Sequence, residues 1–217
     1  MVVRFSPEEE RANALSSGSG VVLSVLALGV LSRDAWGGDP LHIISGVVFA
    51  CSMVVLYLCS ALNHALAPGP AKEFFFKADL AAIYVLISGS YTPVMLVGLG
   101  DELGIVLTLS IWALALVGVV RTLRAEHIFS EGVDRITLVS YLVMGWFLLV
   151  APMEFYDALS GSALTWIAIG GAFYTGGVAF FRWHSLKYHH LLWHLCVLGG
   201  SISHFVAVRW YLSLIHI

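Results

Sequence analysis

Residues 41–66 carry the sequence LHIISGVVFACSMVVLYLCSALNHAL. These 26 residues contain no Asp, Glu, Lys or Arg. A helix of about 20 mostly apolar residues is long enough to cross a bilayer. The whole chain of 217 residues has the same character, because 59% of its residues are hydrophobic and 12% are charged. A soluble domain has about 45–50% apolar and about 25% charged residues. The sequence therefore predicts an integral membrane protein.

Seven such stretches predict an all-α fold, a seven-transmembrane-helix bundle that forms a single membrane domain over residues 1–217. The predicted spans are 18–32, 41–66, 79–99, 103–123, 133–152, 162–181 and 190–212. The first is short, and we expect it to extend into the polar segment before it. Pro93 predicts a kink within the third span. The segment 72–77, which encloses three phenylalanines, predicts a connector in the membrane interface.

The distribution of Lys and Arg predicts the orientation of the chain, because cytoplasmic loops carry an excess of both. Nine of these residues fall on one side of the predicted spans and two on the other, alternating at every crossing. The richer side holds Arg4, Arg11, Lys72, Lys77, Arg121, Arg124, Arg135, Arg182 and Lys187, and the poorer side holds Arg33 and Arg209. The N-terminus is therefore predicted to be cytoplasmic and the C-terminus outside.

Composition excludes several classes of function. Eleven basic and fourteen acidic residues give a net charge of −3, so no nucleic-acid partner is expected. The three cysteines lie within apolar stretches and are typical of buried small hydrophobes, not of a disulfide framework. A homo-oligomer is possible, although no G-x-x-x-G face dominates any span.

Four ionisable residues at the ends of predicted spans are candidates for function. His64 ends the second span, Asp79 begins the third, and His190 and His194 open the seventh. In the predicted topology all four lie at one depth, in the cytoplasmic leaflet. Ionisable residues within membrane spans are energetically costly and mark functional sites by default.

The spacing of these residues predicts a metal site. His190 and His194 are four residues apart and project from one helix face, and Ser60 and His64 have the same spacing. Three histidines and a nearby carboxylate fit a zinc site, one ion per chain, with an open position that holds water. Asp79 would hold this water or take its proton, and Ser60 would hydrogen-bond the water or a substrate oxygen. The alternative is that each histidine is an interfacial residue at the headgroup level.

Three further positions leave alternatives open. His189 points about 100° away from the histidine pair, but it becomes a ligand if the helix begins in a different register. His204 lies about 15 Å further along the same helix, so we expect it to hydrogen-bond a neighbouring helix. Glu9, Glu10 and Asn13 either cap the first helix or cover the site.

Several motifs together resemble the hemolysin III family. They are Ser60-x-x-x-His64, KADLAAIY at 77–84, GSYTP at 89–93, His190-x-x-x-His194, EERAN at 9–13 and WHLCVLGGSISHF at 193–205. That family is the bacterial branch of the progesterone and adipoQ receptor (PAQR) superfamily, which includes the adiponectin receptors. The resemblance runs from about residue 8 to residue 212. Asn63 and the sequence KYHH at 187–190 depart from the usual pattern, and the second departure keeps the choice between His189 and His190 open.

The resemblance implies a seven-helix protein of the bacterial inner (plasma) membrane, with zinc held by His64, His190 and His194. Asp79 and Ser60 would surround the metal-bound water. The superfamily is similar to alkaline ceramidases, which implies hydrolysis of a lipid amide or ester, with a membrane lipid as the substrate or ligand. Two other hypotheses are a non-enzymatic membrane-homeostasis or sensor protein with structural zinc, and a haemolysin that forms pores.

Overall fold

The computed structural model describes residues 5–34, 39–126, 128 and 133–211, and no strand occurs among them. Their α-helices are α1 (Pro7–Asp34), α2 (Pro40–Ala65), α3 (Pro70–Pro93), α4 (Glu102–Arg124), α5 (Arg135–Gly145), α6 (Pro152–Ala158), α7 (Gly161–Arg182) and α8 (His189–Tyr211). A π-helix over Val94–Leu99 continues α3, and a 3-10 helix over Phe147–Val150 follows α5. In this part of the chain, six helical segments are long and apolar enough to cross a membrane: α1, α2, α3 with its π-helix, α4, α7 and α8.

The start of α1 is fixed by a reciprocal cap. The Ser6 N–H donates to Glu9 Oε2 at 2.9 Å, and the Glu9 N–H donates to Ser6 Oγ at 3.3 Å. This capping box satisfies backbone donors that the first turn leaves unpaired, and Pro7 suits the first helical position because it has no N–H to satisfy. The helix therefore begins well before residue 18, as the short first span predicted.

Other helices begin at residues whose side-chain oxygens accept a backbone N–H. These N-caps are Asp39 (from Leu41, 2.8 Å), Asp101 (from Gly104, 2.9 Å), Asp134 (from Thr137, 2.7 Å) and Ser160 (from Ala163, 3.1 Å). Each lies directly before an apolar run, so the sequence alone locates these helix starts to within a residue or two.

The third predicted span differs from the structure at its start. Helix α3 begins at Pro70, so residues 72–77 form its first turns and are not a separate interfacial connector. Proline is compatible with a first turn, and the turns that follow carry no helix-breaking residue. The kink predicted at Pro93 takes the form of a change in helix type, because α3 ends there and the π-helix follows.

The fifth predicted span, 133–152, is interrupted. Helix α5 has 11 residues and is about 16 Å long, short of the roughly 30 Å of a hydrocarbon core. The Tyr91 hydroxyl bridges the break, because it donates to the Gly145 carbonyl at 2.8 Å and accepts from the Leu148 N–H at 3.1 Å. The seven-helix count and the orientation of the termini stay predictions.

Packing of the helices places the sequence-predicted site residues at one end of the bundle. Helix α1 packs against α2 and α8, α2 packs against α3, and α7 packs against α8. In the core, Ser201 of α8 hydrogen-bonds Tyr57 of α2 at 2.8 Å and Tyr174 of α7 at 3.1 Å. Gly20 of α1 lies directly against the Tyr57 ring, where a Cβ would overlap the ring. This close approach lets the first turns of α1 reach the end of α2 and the start of α8.

Candidate metal centre

Three histidines converge where α2 ends and α8 begins. Each of these residues, His64, His190 and His194, contributes one ring nitrogen, and the three nitrogens lie within 4.8 Å of one another. The ring centroids are 4.9 Å apart for His64 and His190, 5.1 Å for His64 and His194, and 4.5 Å for His190 and His194. His64 and His194 are buried, and His190 is partly buried. Such a group can hold a metal ion, since three imidazoles from two rigid helices are a common ligand set.

His64 has one nitrogen that is partnered and one that is not. Its Nδ1 lies 2.6 Å from Glu10 Oε2, whereas its Nε2 is buried and has no hydrogen-bond partner in the part of the chain that the structure describes. A buried polar atom without a partner costs about 1–3 kcal/mol. A carboxylate on the far nitrogen of a histidine is the usual second layer of a metal site. The donor set therefore fits a metal ion on Nε2.

His194 is held from α1 by two serines. Its Nδ1 lies 2.9 Å from Ser16 Oγ and 3.2 Å from Ser17 Oγ. Ser17 Oγ also hydrogen-bonds Ser60 Oγ at 2.9 Å, and Ser60 Oγ lies 3.5 Å from His194 Nε2. The predicted site residue Ser60 thus belongs to the immediate surroundings of the histidine cluster.

Asp79 lies beside the cluster and not within it. The Asn63 amide donates to Asp79 Oδ2 at 3.1 Å, and both His64 and Ser60 interact electrostatically with this carboxylate. Among the described residues, the three histidines form a group of metal-ligating atoms within 4.8 Å of one another. Asp79 is not a member of this group. The side chain is therefore close enough to act on a molecule at the centre without being one of its grouped ligands.

The other histidines of α8 have different partners. His189 donates from Nδ1 to the Phe180 carbonyl at 3.1 Å, and its ring centroid is 6.1 Å from that of His190. The register of α8 therefore brings His190, not His189, into the cluster. His204 donates from Nε2 to the Ile167 carbonyl at 3.3 Å, so its predicted bond to a neighbouring helix is confirmed.

Two aromatic rings enclose the cluster. The Phe5 ring centroid is 4.9 Å from that of His190 and 5.9 Å from that of His64. Phe181 of α7 lies 5.9 Å from His190. These apolar walls lower the local dielectric, so electrostatic interactions with a bound ion are stronger than at an exposed site.

A sequence profile of the family described as "Haemolysin-III related" matches residues 5–205, a range that includes all three clustered histidines. The chain belongs to this family. Its relatives include the "Hemolysin-3 homolog" of Bacillus subtilis (strain 168), which is 38% identical over 208 residues, covering 95% of this chain and 96% of that protein. "Hemolysin-3" of Bacillus cereus is 36% identical over 205 residues, covering 94% and 92%.

A more distant relative is the "Monocyte to macrophage differentiation factor" of Homo sapiens, 25% identical over 222 residues, covering 96% of this chain and 87% of that protein. This likeness agrees with membership of the wider superfamily named above. The bacterial relatives and the six apolar helices indicate a multi-pass protein of the bacterial plasma membrane.

The site of this haemolysin-III related protein contains residues that sequence patterns do not identify. Ser16, Ser17 and Lys72 carry no motif, and the sequence leaves Glu10 open between capping and covering. A usable signal was present, since Glu10, Asn13 and Ser17 recur at spacings of three and four and share one face of α1. Polar residues on the buried face of a membrane helix require partners, and here the partner of Glu10 is His64 and that of Ser17 is His194.

A mostly apolar cavity lies close to the cluster. It lies among α3, α5, α7 and α8 and has a volume of about 80 Å³. Aliphatic and aromatic side chains dominate its walls, among them Leu80, Ile83, Tyr141, Phe181 and Trp193. Phe181 contacts both Trp193, at 5.5 Å between ring centroids, and His190. The cavity therefore ends one side chain away from the candidate metal ligands.

Proposed function

We propose that this protein is a zinc-dependent hydrolase that cleaves an amide or ester bond of a membrane lipid. The observation that carries the proposal is the grouping of three histidines, together with a buried His64 Nε2 that has no hydrogen-bond partner among the described residues. Catalytic zinc sites use three protein ligands and keep a fourth position open, whereas structural sites are closed by four. The described residues group three ligands, which favours the catalytic type.

In this proposal His64, His190 and His194 hold the ion. Zinc, when bound, supplies Lewis acidity that activates water and polarises a carbonyl group. Asp79 lies on the edge of the cluster, where its carboxylate takes a proton from the attacking water. Asn63 fixes the orientation of that carboxylate through its bond to Oδ2.

The remaining steps follow from hydrolysis itself. The oxygen of water forms a bond to the acyl carbon of the lipid, and the bond from this carbon to the leaving nitrogen or oxygen breaks. Asp79 returns its proton to the leaving atom, so one residue serves as base and then as acid. Ser60, 3.5 Å from His194 Nε2, donates a hydrogen bond to the carbonyl oxygen as negative charge develops there.

A lipid substrate is favoured by the surroundings of the site. The cavity that ends at Phe181 and Trp193 is apolar, and α3, α7 and α8 around it are long and apolar enough to cross a membrane. An acyl chain in this cavity would bring its carbonyl end towards the histidines. Burial of the chain would supply binding energy at about 25 cal/mol per Å² of apolar surface.

Metal content and turnover together test the proposal. We expect one zinc per chain in purified protein by elemental analysis, and its loss in His190→Ala and His194→Ala. His204→Ala is the matched control, because it removes a partly buried histidine of the same helix that bonds the Ile167 carbonyl instead. Zinc-loaded protein in micelles should hydrolyse a fluorogenic lipid amide or ester. Folded protein without zinc, or zinc-loaded protein without turnover on either class, would overturn the proposal.

A structural role for the ion is the second candidate, favoured by the connection of three helices at the site. Glu10, Ser16 and Ser17 tie α1 to histidines of α2 and α8. If zinc serves only this purpose, chelation should lower thermal stability, and no lipid turnover should accompany the bound ion. Turnover that is lost in a folded, zinc-bound variant would exclude a purely structural role.

A further inference from the structure

Helix α1 contacts two of the three clustered histidines through their Nδ1 atoms. Glu10 Oε2 faces His64 Nδ1 at 2.6 Å, and a carboxylate can only accept a hydrogen bond. Nδ1 of His64 must therefore carry the proton. Because a neutral imidazole has one N–H, Nε2 then carries the free lone pair, and this is the atom for which the described residues offer no partner.

The hydrogen-bond donors and acceptors around His194 can be assigned in the same way. Ser16 has one hydroxyl proton, and its Oγ donates to the Asn13 carbonyl at 2.8 Å. Towards His194 Nδ1, 2.9 Å away, Ser16 Oγ must therefore act as the acceptor. Ser17 Oγ, 3.2 Å from the same nitrogen, accepts as well when its own proton goes to Ser60 Oγ, 2.9 Å away. In this arrangement His194 is protonated on Nδ1, and its Nε2 lone pair faces Ser60 Oγ at 3.5 Å.

Lys72 holds Glu10 in place. Its ammonium donates to Glu10 Oε1 at 2.9 Å and to the Asn63 and Leu66 carbonyls at 2.7 and 3.3 Å. Those carbonyls belong to the end of α2, where helical carbonyls lack partners within the helix. One lysine therefore ties the carboxylate of α1 to the helix end that carries His64.

We propose that Glu10 and Ser16 are positioning residues that hold His64 and His194 as Nδ1–H tautomers, so that both Nε2 lone pairs face the metal, with Lys72 as the anchor of Glu10. This inference rests on the proposed metal site and deepens it. Partners of this kind orient ligand histidines and raise their basicity, and their loss typically reduces metal affinity about 10–100-fold.

Nuclear magnetic resonance of ¹⁵N-histidine-labelled, metal-free protein tests the tautomers directly. We expect His64 and His194 to show a protonated Nδ1 and an unprotonated Nε2. Glu10→Ala should move His64 towards the Nε2–H form that free imidazole prefers, whereas Glu10→Gln, which keeps an acceptor oxygen, should restore the Nδ1–H form. A wild-type His64 that carries its proton on Nε2 would overturn the inference.

Zinc affinity by chelator competition provides the second measurement. Glu10→Ala should bind zinc about 10–100-fold more weakly than wild type, with Glu10→Gln in between. Glu8→Ala is the matched control, because Glu8 lies in the same turn and pairs only loosely with Lys187, at 3.7 Å. Equal affinity in folded Glu10→Ala and wild type would contradict the proposal.

Lys72→Met extends the test if Glu10→Ala fails to fold. It leaves the carboxylate and removes its anchor, so zinc affinity should fall, whereas Lys187→Met should leave affinity unchanged. The two proposals fail separately. Wild-type protein that binds no zinc refutes the hydrolase, but the tautomers of metal-free His64 and His194 still decide whether α1 positions them.

Discussion

Replacement of Asp79 by Asn should separate turnover from zinc binding. Asparagine has nearly the same shape and keeps an oxygen that can accept the 3.1 Å bond from Asn63, so the local structure should persist. An amide cannot take a proton from water at neutral pH. Because the three-histidine group does not include Asp79, zinc content should stay at the wild-type value.

The size of the effect follows from the role assigned to Asp79. General acid–base catalysis by one side chain contributes about 10²–10⁴-fold to a rate. The Asp79→Asn variant should therefore lose turnover by this factor, equivalent to about 2.7–5.5 kcal/mol of activation free energy. The loss should appear in kcat, because Asp79 acts on the water and not on the acyl chain in the cavity.

The assay is hydrolysis of a fluorogenic lipid amide or ester in micelles, with zinc measured in the same preparation. Asp157→Asn is the control, since Asp157 is an exposed carboxylate of α6. Wild-type turnover in Asp79→Asn would refute the role of Asp79 as base. Loss of zinc from Asp79→Asn would instead mean that Asp79 is a ligand, and the open fourth position would be lost with it.

Three further predictions concern stability and topology. Zinc at a free concentration 100 times its dissociation constant should raise the free energy of unfolding by about 2.7 kcal/mol. This effect should appear as a higher melting temperature, which a chelator reverses and which the His194→Ala variant does not show. Gly20→Ala should lower the free energy of unfolding by about 1–3 kcal/mol, because the new Cβ meets the Tyr57 ring. Gly18→Ala is the control and should not destabilise the protein, because no described atom lies within 4 Å of its new Cβ. Thermal denaturation of both variants measures the difference. In intact cells, a membrane-impermeant thiol reagent should label the Asp157→Cys variant and not the Glu8→Cys variant. Labelling of Glu8→Cys alone would mean that the predicted orientation is reversed.

Helix positions were largely predictable because their signals are local. Apolar runs of span length, together with caps such as Asp39 and Ser160, lie in consecutive residues and depend little on the rest of the fold. The fifth span shows the limit of this reasoning. Its composition is that of a membrane helix, yet the chain turns after Gly145, where Tyr91 of a different helix provides bonds that a continuous helix would have made internally.

The sequence by itself determined the membrane class, the helical fold and the histidines of the candidate site. Hydrophobic content and the four-residue spacing of His190 and His194 are properties of the chain, so no partner helix is needed to recognise them. Only the tertiary structure decided that His190 and not His189 joins His64, because the register of α8 against α2 depends on side-chain packing. The same packing brought Glu10 to His64 across 54 residues of sequence, a distance over which local patterns carry no information.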